Sequence, residues 1–139
     1  MAGVKIVLDT QVWLDWLVFD DPSAVPIRDA QAAGRVEIVI DAACEAELVR
    51  VLAYDLGKYS LDANEQMRCI ARCRSVARRV SAGTFPGLPR CKDPDDQKFL
   101  ELAASAGAHC LISKDQAVLA LAPRVTRFRI LAPKDCADL

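Results

Sequence analysis

VKIVLDTQVW, residues 4–13, is the stretch from which the rest of the chain is read. Val4, Ile6, Val7 and Leu8 form a short apolar run that reads as a buried strand. The run stops at one carboxylate, Asp9, followed by Thr10 and Gln11. Val12, Trp13, Trp16 and Leu17 then recur at helical spacing. Asp9 is therefore expected where a strand hands over to a helix. In open α/β sheets that edge, outside the carboxyl ends of the strands, is where ligands bind. Other acids arriving at the same edge would make it a site.

Further along, VEIVI (Val36 to Ile40) predicts a second strand, and Asp41 is placed to cap a helix from Ala42 to about Ala53. Leu48, Val49 and Leu52 would form its buried face, and Glu45 and Glu47 ride on it. Between these strands, Ser23 is the expected cap of a helix over Ala24 to Ala33, stopped by Gly34. Asp62 and Glu65 have capping-box spacing. The helix they open is expected to reach about Val80, with at most a weak strand near that residue. Ser81 to Arg90 is a loop rich in Gly and Pro. In CKDPDDQKFLELAASAGA, Asp93 is the expected N-cap and Pro94 the first helical residue. HCLIS (His109 to Ser113) reads as a strand, Gln116 to Leu121 as a short helix, and Arg127 to Leu131 as a last strand. Strands alternate with helices and no hairpin signal occurs. The pattern predicts a three-layer α/β/α fold around a parallel sheet of four to five strands.

Length and composition bound the function. At 139 residues the chain is expected to be one domain, 1–139, with room for a real core. Apolar residues make up 53% and mean hydropathy is +0.14, which excludes a disordered chain. That apolar content suits a well-filled core or a buried partner surface. The net charge of -1 gives no overall pull toward nucleic acid. No apolar run approaches the ~20 residues of a bilayer span. The N-terminus also lacks the layout of a signal peptide, so a cytoplasmic location is expected. Six cysteines with no CxxC pair, beside a single histidine, argue against zinc and for reduced cysteines acting as small core residues.

Asp9, Glu47, Asp93, Asp96 and Asp115 share a habit: all can reach one edge of the sheet. Asp9 and Asp115 lie just past strand ends, where no capping duty is evident unless they face a site. Asp93 and Asp96 are three apart in a first helical turn. Clustered carboxylates stay ionised together only around a cation. Oxygen donors without a usable histidine suit Mg²⁺ or Mn²⁺. Such an ion fits phosphodiester chemistry.

At this point VLDTQVW, EAELVRVL, CKDPDDQKFLELA and LISKD together resemble a PIN domain, over nearly the whole chain. The resemblance is to the bacterial, VapC-like branch of toxin–antitoxin ribonucleases. It implies a metal-dependent endoribonuclease, using Mg²⁺ or Mn²⁺, that cuts RNA, is restrained by a small antitoxin protein and forms a homodimer. It implies Asp9, Asp96 and Asp115 as metal-holding acids, with Glu47 and Asp93 completing the catalytic set. Thr10, Gln11 and Ser113 would be supporting polar residues. Gln11 stands where the family has asparagine, and Ser113 where it has threonine.

Arg68, Arg72 and Arg79 fall on one face of the expected helix and, with Lys92, form a candidate RNA track. Trp13 and Trp16 read as core or dimer contacts, Lys114 as a surface lysine, and His109 has no catalytic role. Two other readings stand: a receiver-type phosphoacceptor domain, and a catalytically silent PIN-like RNA-binding module.

Overall fold

The computed structural model describes residues 3–81 and 83–139. Its elements run β1 (Val4–Leu8), α1 (Thr10–Leu17), α2 (Val25–Ala32), β2 (Val36–Ile40), α3 (Ala42–Leu52), α4 (Ala63–Val76), β3 (Ala77–Arg79), α5 (Gln97–Ser105), β4 (Cys110–Ile112), α6 (Gln116–Leu119) and β5 (Arg129–Leu131). The five strands pair in parallel in the order β3-β2-β1-β4-β5. Helices flank this sheet in the α/β/α arrangement. A parallel sheet covered on both faces needs strands that are apolar almost throughout. Ile6, Val7, Leu8, Val39, Leu111 and Ile112 are each at most 1% exposed.

The topology places the site. From β1 the sheet grows one way to β2 and the other way to β4, with Ile6 paired to Cys110 and Leu8 to Ile112. The crevice beyond the carboxyl ends of β1 and β4 is thus a topological switch point, the usual ligand position in such sheets. Asp9 leaves β1 there, and Ser113 to Asp115 leave β4 there.

Several local expectations are corrected. The α2 region is capped by Asp21, whose side chain accepts from Ser23 N, and it begins with a 3-10 turn, Pro22–Ala24. The Ser23 hydroxyl is buried without a partner. Val49 is exposed, and Leu48 and Leu52 alone of the expected trio are buried on α3. The helix expected to reach Val80 ends at Val76, and the next three residues join the sheet beside β2. No Gly or Pro marks that break. Pairing of Ile38, Val39 and Ile40 with Ala77, Arg78 and Arg79 satisfies the backbone of an otherwise open sheet edge. Arg79 therefore lies on a strand, not on the helix face with Arg68 and Arg72. The capping box of Asp62 and Glu65 forms in full, and Gly34 and Gly107 close their helices at φ 75° and 67°.

The two tryptophans stack on α1 with ring centroids 5.6 Å apart. Both are buried, so they belong to the core. All six cysteines are free thiols. Among the described residues no helix is long and apolar enough to cross a membrane.

Candidate active site

Asp9 is fixed from two sides. Its backbone sits in an extended conformation at the N-cap of α1, and Oδ1 accepts from Val12 N at 3.0 Å. Oδ2 accepts from the Ser113 hydroxyl. So Asp9 does cap a helix, contrary to expectation, and lines a cavity as well. Asp115 has the same double position. It caps α6 by accepting from Ala117 N at 2.8 Å, and its own amide donates to Ser113 Oγ at 3.1 Å. Ser113, fully buried, is the hinge pin between these two acids.

Glu47 reaches the same place from α3. Thr10 Oγ1 donates to Glu47 Oε1, and Lys98 Nζ meets Oε2 at 2.7 Å. Asp96 arrives at the start of α5 with no side-chain capping bond. Together Asp9, Thr10, Gln11, Glu47, Asp96, Phe99, Lys114 and Asp115 line a cavity of about 260 Å³. Asp93 stands outside that lining. It is exposed and caps the 3-10 turn Pro94–Asp96, accepting from Asp95 N at 2.9 Å.

The electrostatics report the same convergence. Burial pushes the Asp96 carboxyl up to about 6, and the charges of Asp115, Asp93, Asp9 and Glu47 all add to the rise. Burial likewise raises Asp9, against the opposing hydrogen bonds from Ser113 and Val12. The nearby Cys91 thiol is pushed up to about 11 by burial and then by Asp96, Asp115 and Asp93, so it stays protonated at neutral pH.

The donors are carboxylate oxygens, a set that fits a hard divalent cation. Among the described residues no three acidic, histidine or cysteine side chains are gathered tightly enough to form a ready cage. The hydrogen bonds account for part of that spacing. Both Glu47 oxygens already have donors, and both Asp9 oxygens do too. The fit therefore rests on donor type and on a shared cavity.

Three residues matter here that the sequence reading passed over or set aside. Lys98 partners Glu47. Lys114, read as a surface lysine, lines the cavity and holds Asp15 Oδ2 at 2.8 Å. Asp15 is 3% exposed and also accepts from Gln11 Nε2 at 3.0 Å. The Gln11–Asp15 contact was visible as an i, i+4 pair on one helix. The two lysine contacts join residues 51 and 99 positions apart, and nothing local announces them.

The candidate RNA track falls elsewhere. Arg68 and Arg72 border a separate cavity with Trp16, Leu17 and Arg28. Arg79 Nη1 meets Glu45 Oε2 at 3.0 Å, and Arg74 grips the other oxygen at 2.7 Å. Lys92 is exposed in the loop before Asp93.

A sequence profile for the PIN domain matches residues 5–117. Among solved structures, the chain resembles VapBC2 from Rickettsia felis, crystallised with a DNA fragment from their promoter. The TM-score is 0.65 at 12% identity, over 93% of this chain and 98% of that one. It also resembles PAE2754 from Pyrobaculum aerophilum, with a TM-score of 0.60 at 13% identity, over 96% of this chain and 88% of that one. At such identities the likeness is one of fold. No curated protein sequence matches the chain.

Proposed function

The chain belongs to the PIN domain family, and from that premise we propose that it is a metal-dependent endoribonuclease, the toxin of a toxin–antitoxin pair. The observation that carries the reading is the convergence of Asp9, Glu47, Asp96 and Asp115 on one cavity at the switch point of the sheet. The family assignment leaves the receiver-type alternative without support.

In this reading Asp9, Asp96 and Asp115 hold Mg²⁺ or Mn²⁺. When bound, the ion supplies Lewis-acid activation of water and of the phosphodiester. The chain's own residues do the positioning. Ser113 fixes Asp9 and the turn carrying Asp115. Thr10 fixes Glu47, which completes the cavity's acid set, while Asp93, outside the lining, acts through its charge on Asp96. Asp96, with a carboxyl pushed up to about 6, is the group most sensitive to a cation, because burial and then four like charges oppose its ionisation. Arg68 and Arg72, across the other cavity, and Lys92, beside Asp93, would hold outlying phosphates. Arg79 is a weaker choice because Glu45 already engages it.

A small antitoxin is the proposed partner and a homodimer the proposed assembly; the two-component name of the Rickettsia structure supports the first. One observation favours a catalytically silent module instead: Glu47 is already neutralised by Lys98. RNA cleavage separates the two. Purified protein with Mn²⁺ is expected to cut single-stranded RNA, and Asp9→Asn to lower the rate by at least about 100-fold with the fold intact by circular dichroism. Equal rates in both proteins would end the proposal, and RNA binding without cleavage would establish the silent module.

A further inference from the structure

We propose that Lys114 grips a backbone phosphate of the RNA at the acid cavity, and that Asp15 is the positioning residue that aims it. This rests on the ribonuclease reading above.

Among the described residues that line the cavity there are four carboxylates and one cation, the Lys114 ammonium; Lys98, outside the lining, engages Glu47 Oε2 at 2.7 Å. A polyanion approaching this cavity meets repulsion at Asp9, Asp96 and Asp115, while Glu47 is already paired with Lys98. Lys114 is the lining residue with the opposite sign, and its side chain is 38% exposed. The ammonium carries three protons. One is directed to Asp15 Oδ2 at 2.8 Å, which leaves donors for a phosphate oxygen.

Asp15 is otherwise unexplained. It is 3% exposed, lies a helical turn beyond the site on α1, and does not line the cavity. A buried carboxylate is costly unless paired and hydrogen-bonded. Both of its oxygens are used on residues that do line the cavity: Oδ1 by Gln11 Nε2 and Oδ2 by Lys114 Nζ. A long lysine side chain loses rotamer freedom when it must hold one position. Asp15 restricts it in advance, in the free protein. The same carboxylate orders Gln11, whose side chain spans the turn to Asp15.

The test is binding of a fluorescent single-stranded RNA to metal-free protein across a salt series, followed by cleavage kinetics with Mn²⁺. Lys114→Gln is expected to weaken binding and to reduce the slope of log affinity against log salt by about 0.7, the value for one phosphate on a single strand. Lys114→Arg should restore the slope. Asp15→Asn should raise KM with kcat changed less. A purely structural Asp15 would lower Tm and leave the slope and KM as they were. Should Asp15→Asn fail to fold, the Lys114 pair carries the test alone. Wild-type protein that cuts RNA while Lys114→Gln keeps the wild-type slope and KM overturns this proposal and leaves the nuclease reading standing. Wild-type protein that neither binds nor cuts RNA overturns both.

Discussion

Glu45 and Glu47 sit two residues apart on α3, each with a basic partner, and turn to different places. Glu45 turns to the β3 edge, where Arg74 and Arg79 take one oxygen each. Glu47 turns to the cavity, where Lys98 takes one oxygen at 2.7 Å and Asp9, Asp96 and Asp115 gather beside it. At the β3 edge a carboxylate is matched by arginines and ties the last turn of α4 and an edge strand to α3. At the switch point carboxylates lie near carboxylates: burial raises the Asp96 carboxyl, and the charges of Asp115, Asp93, Asp9 and Glu47 add to the rise. One arrangement stabilises the metal-free protein. The other strains it and is suited to a cation. Two acids of the same type on the same helix thus divide into scaffold and site by what surrounds them.

That contrast can be broken most sharply by neutralising one acid in each place. Glu45→Gln removes a paired charge and is expected to lower Tm by about 4 °C, the shift that ~1 kcal/mol gives at this size. Cleavage per folded molecule should be unchanged. Asp96→Asn removes a repelled charge and should raise the Tm of the metal-free protein at neutral pH while cleavage falls by at least about 100-fold. Melting curves and a cleavage assay on the two variants check both signs. A fall in Tm for both would erase the distinction.

A smaller effect lies in the pH dependence. The Asp96 carboxyl titrates higher in the folded protein than in the unfolded chain. Between the two values the folded state holds the extra proton. Its contribution therefore favours folding at low pH and is lost as pH rises through about 6. Asp9, also raised, acts in the same direction. The metal-free wild type should lose part of its Tm over that range relative to Asp96→Asn. A flat difference between the two proteins would contradict the shift. The smallest expected effect is that of Arg68 and Arg72, which lie away from the acid cavity. Replacing both with Gln should weaken RNA binding less than tenfold and flatten its salt dependence, by about 0.7 for each phosphate no longer held. An unchanged slope would remove them from the RNA path.

The strand-then-acid habit was legible because buried parallel strands are short apolar runs and each ends where its polarity changes. VKIVLD and LISKD each show a strand ending near an acid, while the adjacency of the two strands, and so the switch point, is seen only in the sheet order. Capping did not separate site acids from structural ones, since Asp9, Asp41, Asp62 and Asp115 all cap. What distinguishes Asp9 is the hydroxyl of Ser113 on its second oxygen, an interaction across 104 positions. The break at Val76 was hidden for the same reason. Ala77, Arg78 and Arg79 have no strand pattern of their own, and β2 recruits them. The roles of Lys98 and Lys114 arise only where α1, α3, α5 and the end of β4 come together, whereas the Gln11–Asp15 pair is local to one helix.

The central claim is that the cavity acids exist to hold a divalent cation. Titration of Mn²⁺ into metal-free protein, followed by the loss of free-ion paramagnetic resonance signal, measures this directly. Wild type should bind at a site that Asp9→Asn and Asp96→Asn each weaken by at least about tenfold, with Glu45→Gln binding as wild type. Equal binding by wild type, Asp9→Asn and Asp96→Asn would contradict the account.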